Sequence, residues 1–131
     1  MAQTSPFQFR LDPSTGVPAY RQIIDQVTLS IATGALKGGD QLPTVRQVAV
    51  DLAINPNTVV RAYRELEIKG TLTTQQGVGT FITVETIKPD LAQREKRLSH
   101  LAAEFAAKAG AEGFRVEELL ERLRELSERS Y

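Results

Sequence analysis

The stretch INPNTVVRAYR, residues 54–64, decides the fold of this chain together with PTVRQ, residues 43–47, which precedes it. In the later stretch Asn55 is a favourable helix N-cap, and Pro56 suits the first helical position because its missing N–H is not needed there. The earlier stretch holds a threonine and a glutamine at the spacing of a capping box. The two stretches therefore predict two short helices joined by a turn, which is the layout of a helix-turn-helix.

A helix before this pair and a hairpin after it complete a winged fold. Apolar residues at helical spacing follow Pro18, and Gly34 ends this first helix. After the pair, residues 72–76 and 80–84 are rich in Thr, Val, Ile and Phe, and they flank Gly77-Val78-Gly79. This pattern predicts a β-hairpin. The sequence thus predicts a mostly α-helical fold with a small β-hairpin, a winged helix-turn-helix followed by a two-helix dimerisation tail.

The tail begins after Ile87-Lys88-Pro89, which is typical of a joint between domains. One helix is predicted from Asp90 to about Ala109, and a second follows a break bracketed by Gly110 and Gly113. The predicted domains are a winged helix-turn-helix at residues 1–86 and a helical tail at residues 87–131.

The apolar faces of the tail predict a dimer. A segment of about 42 residues rarely buries a core of its own. A second copy would complete a helical bundle between subunits, and a tail that folds back onto its own winged helix is the alternative. The residues predicted to form the dimer contact are Leu98, Leu101, Phe105, Val116, Leu119, Leu120, Leu123 and Leu126.

The exposed face of the second helix of the pair carries side chains that suit double-stranded DNA. Asn57, Arg61 and Arg64 are four and three residues apart, so they share one face opposite the apolar stripe. In the major groove, arginine bonds guanine and asparagine bonds adenine in bidentate fashion. Thr58 and the free backbone N–H groups of the helix start suit a phosphate. Arg46, on the preceding helix, is placed to contact the DNA backbone or an outer base.

The tip of the hairpin is the second predicted DNA contact. Gly77 and Gly79 allow the backbone to approach a minor groove closely. The tip carries a valine rather than a cation, so a contact there would use the backbone with Gln76 or Thr80. A tight turn that touches nothing is the alternative for the tip. For the helix, the alternative is arginines that are merely solvated, with or without ion pairs to Glu65 and Glu67.

Composition excludes several other functions. The chain has no cysteine and one histidine, so we expect neither a metal nor a cofactor. It shows no nucleophile–base pattern or phosphate-binding glycine loop, and we expect no enzyme activity. The 16 basic and 16 acidic side chains argue against a polycation that coats nucleic acid. Without a signal peptide or a long apolar run, the chain is expected to be cytoplasmic and not to bind a membrane.

Several motifs, in the correct order, resemble the N-terminal domain of GntR-type bacterial transcription regulators. They are LPTVR at residues 42–46, NPNTV at 55–59, AYREL at 62–66, Gly70, and GVGTF at 77–81. The resemblance covers roughly Pro18 to Val84. The short two-helix tail is similar to the YtrA-like branch, which lacks the large effector-binding domain of its relatives.

The resemblance implies a homodimeric repressor, often of transport operons, that binds a two-fold-symmetric operator. By position, the family's DNA contacts fall on Arg46, Asn57, Thr58, Arg61 and the wing at residues 77–80. Val60 stands where many relatives have an arginine, and Val78 where many have a basic or polar residue. A protein-interaction module without specific DNA binding is the alternative function. Control by a small-molecule effector of unknown identity and control by abundance alone both stay open.

Overall fold

The computed structural model describes residues 7–85 and 90–128, which belong to two compact units that meet between Val84 and Glu85 in sequence. The predicted boundary at 86/87 and the predicted joint lie outside the described residues. The elements are a 3₁₀ turn Pro13–Thr15, α1 Ala19–Thr33, α2 Val45–Leu52, α3 Pro56–Ile68, β1 Leu72–Gln75, β2 Gly79–Ile82, α4 Leu91–Ala111 and α5 Val116–Glu128. The predicted fold class, a winged helix-turn-helix followed by two helices, is confirmed.

Capping residues determine where the two helices of the helix-turn-helix begin. The hydroxyl of Thr44 accepts a hydrogen bond from the N–H of Gln47 at 3.1 Å, and the side-chain oxygen of Asn55 accepts one from the N–H of Asn57 at 2.9 Å. Helix α2 ends at Ala53, whose φ of 55° is left-handed. Residues other than glycine seldom adopt this conformation, and here it makes the tight turn into α3.

The three helices of the first unit pack around one apolar core, to which the N-terminal arm and the hairpin also contribute. The buried apolar residues are Phe9, Ile23, Ile24, Val27, Leu36, Leu42, Val48, Ala49, Val59, Ala62, Tyr63, Leu66, Leu72 and Ile82. Each helix buries one stripe of side chains and leaves the opposite face in solvent. The exposed face of α3 is therefore available to a partner.

Tyr63 links α3 to the start of α2. Its side chain is 3% exposed, and its hydroxyl donates a hydrogen bond to the carbonyl of Pro43 at 2.6 Å. Burial raises the pKa of this phenol, which stays neutral and remains a donor. Tyr63 is therefore a core residue and not an exposed platform for stacking.

Replacing Tyr63 by phenylalanine is expected to lower the free energy of unfolding by about 1–3 kcal/mol, because the buried carbonyl of Pro43 loses its partner. Urea denaturation measures the change. Tyr20→Phe is the matched control, since the hydroxyl of Tyr20 has no hydrogen bond within residues 7–85 and 90–128, and it should leave the stability unchanged. Equal stability of both variants would contradict this role of the Tyr63 hydroxyl.

The segment just before α2, residues 39–42, is hydrogen-bonded to the hairpin and so joins it to the helices. The N–H of Ile82 donates to the carbonyl of Asp40 at 2.8 Å, and its carbonyl accepts from the N–H of Gly39 at 2.8 Å. The N–H of Leu42 donates to the carbonyl of Thr80 at 2.9 Å. This segment thus runs antiparallel beside β2 and leads directly into α2. The sequence of this segment does not indicate a strand, because the pairing depends on residues about 40 positions away.

The turn of the hairpin lies one residue earlier than predicted. Gln75 pairs with Gly79, so the connecting residues are 76–78 and Gly79 belongs to β2. The N–H of Val78 donates to the carbonyl of Gln75 at 3.0 Å, which closes a β-turn. Gly77 has a φ of 77° at the third turn position, where type II turns need glycine.

The second unit is a pair of helices joined by a short turn. Helix α4 begins after Asp90, whose carboxylate accepts from the N–H groups of Ala92 at 3.1 Å and Gln93 at 3.3 Å. The predicted break, bracketed by Gly110 and Gly113, is present, but it begins two residues later than expected, because α4 runs past Ala109 to Ala111. Gly113, with a φ of 89°, makes the turn. None of the described helices has the length and apolar character that a bilayer crossing requires.

Candidate nucleic-acid interface

The exposed face of α3 brings three of the predicted side chains together. Asn57, Arg61 and Arg64 are all exposed, on the side opposite the buried stripe of the helix. Thr58 is half-buried at the N-terminal end of the same helix. Arg46 is exposed near the start of α2. The face of α3 therefore presents an amide and two guanidinium groups along the helix, and the hydroxyl of Thr58 lies beside them at its N-terminal end.

The arginines of this face carry no ion pair within the described ranges. Glu65 lies 3.9 Å from Arg21 on α1, and the other ion pairs of the described residues lie in the tail. The alternative in which Arg61 and Arg64 pair with neighbouring glutamates is therefore not what the structure shows. The same holds for Arg46. A phosphate or a base edge can bind these guanidinium groups without displacing a carboxylate.

Arg61 instead contacts an aromatic ring. Its guanidinium carbon lies 3.7 Å from the ring centroid of Tyr20, in the first turn of α1. Tyr20 is one of the residues that follow Pro18 at helical spacing, and that spacing indicates a buried face rather than this contact. No local pattern predicts a pair of residues on helices that are separated by α2, so the signal appears only once the helices are packed.

The backbone at the start of α3 differs from expectation. Pro56 has no N–H, and the N–H of Asn57 is bound by the side chain of Asn55. The N–H of Thr58 donates to the carbonyl of Asn55 at 3.0 Å. The expectation of free N–H groups for a phosphate is therefore wrong at these positions. The donors that remain at this end are the side chains of Asn57 and Thr58.

The wing separates into an exposed tip and a supported base. Gln76 and Gly77 are exposed at the tip, whereas Gly79 and Thr80 are half-buried. The side chain of Gln41 lies against Gly79, and the carbonyl of Thr80 accepts a hydrogen bond from the segment before α2. Of the four predicted wing residues, the two at the tip are the ones free to approach a groove.

Replacing Gly79 by alanine is expected to lower the free energy of unfolding by about 1–3 kcal/mol. The φ of 149° is one that L side chains rarely adopt, so any side chain here strains the backbone, whereas the amide end of Gln41 can move away from an added Cβ. Chemical denaturation measures the change. Val78→Ala is the control, because the valine side chain is exposed and should contribute within about 0.5 kcal/mol. A Gly79→Ala variant as stable as wild type would contradict this description of the wing.

The tail presents a different kind of surface. Neither α4 nor α5 buries a residue. Of the predicted dimer residues, Leu119 is half-buried and the other seven are exposed, at these fractions: Leu98 59%, Leu101 40%, Phe105 52%, Val116 55%, Leu120 49%, Leu123 53% and Leu126 36%. Leu91 and Phe114, which are not among the predicted dimer residues, are also exposed. The tail therefore displays many large apolar side chains with no cover within its own unit.

Three packed helices, a hairpin that is hydrogen-bonded to the segment before α2, and exposed arginines on α3 define a winged helix-turn-helix DNA-binding domain. The chain matches the family described as "Bacterial regulatory proteins, gntR family" over residues 19–82. It is also 36% identical over 119 residues to the HTH-type transcriptional repressor YtrA of Bacillus subtilis (strain 168), covering 90% of this chain and 91% of that protein. The chain belongs to the GntR family, whose members are DNA-binding transcription regulators and not enzymes.

Solved structures resemble this chain beyond the winged domain. A transcriptional antiterminator from Listeria monocytogenes EGD-e superposes with a TM-score of 0.70 at 28% identity, covering 94% of this chain and 92% of that one. YtrA from Sulfolobus acidocaldarius, a GntR-family transcription factor, gives a TM-score of 0.55 at 30% identity over 75% of this chain and 99% of that one. The similarity to two YtrA proteins over nearly their whole lengths identifies the YtrA-like branch.

Proposed function

We propose that this chain is a homodimeric repressor that binds a two-fold-symmetric operator in double-stranded DNA. The observation that carries the proposal is the exposed face of α3, where Asn57, Arg61 and Arg64 stand without ion pairs in the described residues. A sequence-specific DNA-binding protein needs such a face, because base edges are recognised by side chains that are free to form hydrogen bonds with them.

In this proposal α3 lies in the major groove. Asn57 and Arg61 meet base edges, and Thr58 bonds a phosphate through its hydroxyl, since its N–H is already used. Arg46 and Arg64 contact the DNA backbone or outer bases. The exposed tip of the wing, at Gln76 and Gly77, approaches the adjacent minor groove.

The dimer is supported by the exposed apolar surface of the tail. Two helices with no buried residue do not form a stable unit in water, because their apolar surface must be covered. A second copy covers it with the same surface, which gives a two-fold axis. Two copies of α3 then face two half-sites about one helical turn of DNA apart, or more.

Repression as the sign of regulation is supported by the relatives. YtrA of Bacillus subtilis is named a transcriptional repressor and covers nearly the same length as this chain. A transporter operon as the target is supported only by the likeness to the YtrA-like branch. The proposal requires no effector, because a dimer that binds an operator can repress through its abundance alone.

The direct test is a fluorescence-anisotropy titration of the full chain with DNA from upstream of its own gene and with a scrambled duplex. Specific binding should exceed binding to the scrambled duplex by about a thousandfold or more, and its affinity should fall steeply with salt. Equal, weak binding to both duplexes, repeated with fragments covering the neighbouring operons, would contradict the proposal and favour a protein-interaction module.

A further inference from the structure

The contact between Arg61 and Tyr20 joins two helices at the candidate interface. The distance of 3.7 Å between the guanidinium carbon and the ring centroid is well inside the range of about 6 Å over which a cation is attracted to an aromatic face. Tyr20 is half-buried and packs at the edge of the core, next to the fully buried stripe of α1. Its ring therefore has one side supported by the protein and another available to a cation.

A second arginine near the same ring, Arg21, has a carboxylate partner. The guanidinium carbon of Arg21 lies 5.5 Å from the ring centroid, and its terminal nitrogen lies 3.9 Å from the carboxylate of Glu65. Glu65 is thus engaged with α1 and does not compete for Arg61. The ring of Tyr20 consequently lies against one cation that has a carboxylate partner and one that has none among residues 7–85 and 90–128.

Stacking on a ring differs from an ion pair in what it leaves free. A carboxylate would occupy the N–H groups of the guanidinium, whereas an aromatic ring covers only its face. The N–H groups in the guanidinium plane then remain available for a base edge or a phosphate. A long side chain that is ordered beforehand also loses less freedom when it binds, which raises affinity.

We infer that Tyr20 is a positioning residue for DNA recognition, whose aromatic ring holds the guanidinium of Arg61 in place at the DNA-facing side of α3. The inference rests on the proposed function. In this role the hydroxyl of Tyr20 is dispensable and the ring is not. Tyr20 acts through Arg61, so removing Arg61 should also remove the effect of Tyr20.

A double-mutant cycle tests this role by operator binding, with wild type, Tyr20→Phe, Tyr20→Leu, Arg61→Ala and Tyr20→Leu combined with Arg61→Ala. We expect Tyr20→Phe to bind within twofold of wild type and Tyr20→Leu to bind about 3- to 20-fold more weakly. The double variant should bind no more weakly than Arg61→Ala alone. Tyr20→Met also removes the ring and keeps apolar bulk, so one variant that misfolds does not end the test. Thermal melting verifies folding.

Three results would overturn the inference. Equal losses in Tyr20→Phe and Tyr20→Leu would show that the hydroxyl contacts DNA itself. Independent, multiplying losses for Tyr20→Leu and Arg61→Ala would show a structural role without coupling. Wild-type affinity in both ring-deleted variants would show that the ring has no role. If wild type itself fails to distinguish operator from scrambled duplex, the proposed function fails and this inference falls with it.

Discussion

Glutamate at both Phe105 and Leu123 is expected to lower operator affinity by about 10²- to 10⁴-fold, although neither residue belongs to the DNA-facing surface. Both side chains are about half exposed, at 52% and 53%, and lie on the apolar surface of the tail. Charges there would have to be buried without partners on dimerisation, which is costly. A monomer binds one half-site and loses the gain of about 10²–10⁴ that comes from linking two binding modules.

Sedimentation equilibrium and an anisotropy titration together measure this effect. Wild type should have twice the chain mass of 14.4 kDa, and the variant should have the mass of one chain. Gln93→Glu with Ser99→Glu is the matched control, since it adds the same charge to exposed polar positions of α4. Leu119 is unsuitable for this test because it is half-buried within the tail. A monomeric variant with wild-type affinity would contradict the role of the tail.

Arg61→Ala is the second substitution with a large expected effect, a loss of operator affinity of about 30- to 10⁴-fold. One bidentate contact to a base contributes roughly 1–3 kcal/mol of discrimination, and a dimer loses two such contacts. Lys69→Ala is the control, because it removes the same charge from the far end of α3 and should change affinity less than threefold. Anisotropy titrations of both variants supply the numbers.

The same titrations show what Arg61 contacts. If it reads a base, the variant should tolerate substitutions at one operator position in each half-site, with the other positions unaffected. If it contacts a phosphate, affinity should fall evenly across sequences. The slope of log affinity against log salt concentration should then decrease in magnitude by about one for each lost contact. If Arg61→Ala keeps the affinity and specificity of wild type, the proposal that α3 lies in the major groove is contradicted.

The helix-turn-helix was predictable because its determinants are local. The caps at Thr44 and Asn55 and the proline at Pro56 each act within three residues, and the structure confirms all of them. The strand-like segment at residues 39–42 was not predictable in the same way. Its hydrogen bonds go to β2, and nothing in its own composition indicates a strand.

In the candidate site, too, the features set by nearby residues were predictable and those set by packing were not. Spacing alone placed Asn57, Arg61 and Arg64 on one face, because helical periodicity fixes that relation. Two expectations for the start of α3 were incompatible with each other. If Asn55 is the N-cap, its side chain accepts a hydrogen bond from the N–H of Asn57, and that N–H is then not free to bind a phosphate. The ring of Tyr20 became part of the site only through the packing of α1 against α3.

The central claim is that the chain binds a specific DNA sequence as a dimer. Its most direct test is to let the full chain select the duplexes it binds from a pool of random sequence. We expect enrichment of one sequence with two-fold symmetry, whose half-sites are centred about 10 base pairs apart or at a larger, fixed spacing. The selected duplex should bind one dimer. Enrichment of a single asymmetric half-site bound by one chain, or no enrichment after repeated rounds, would contradict it.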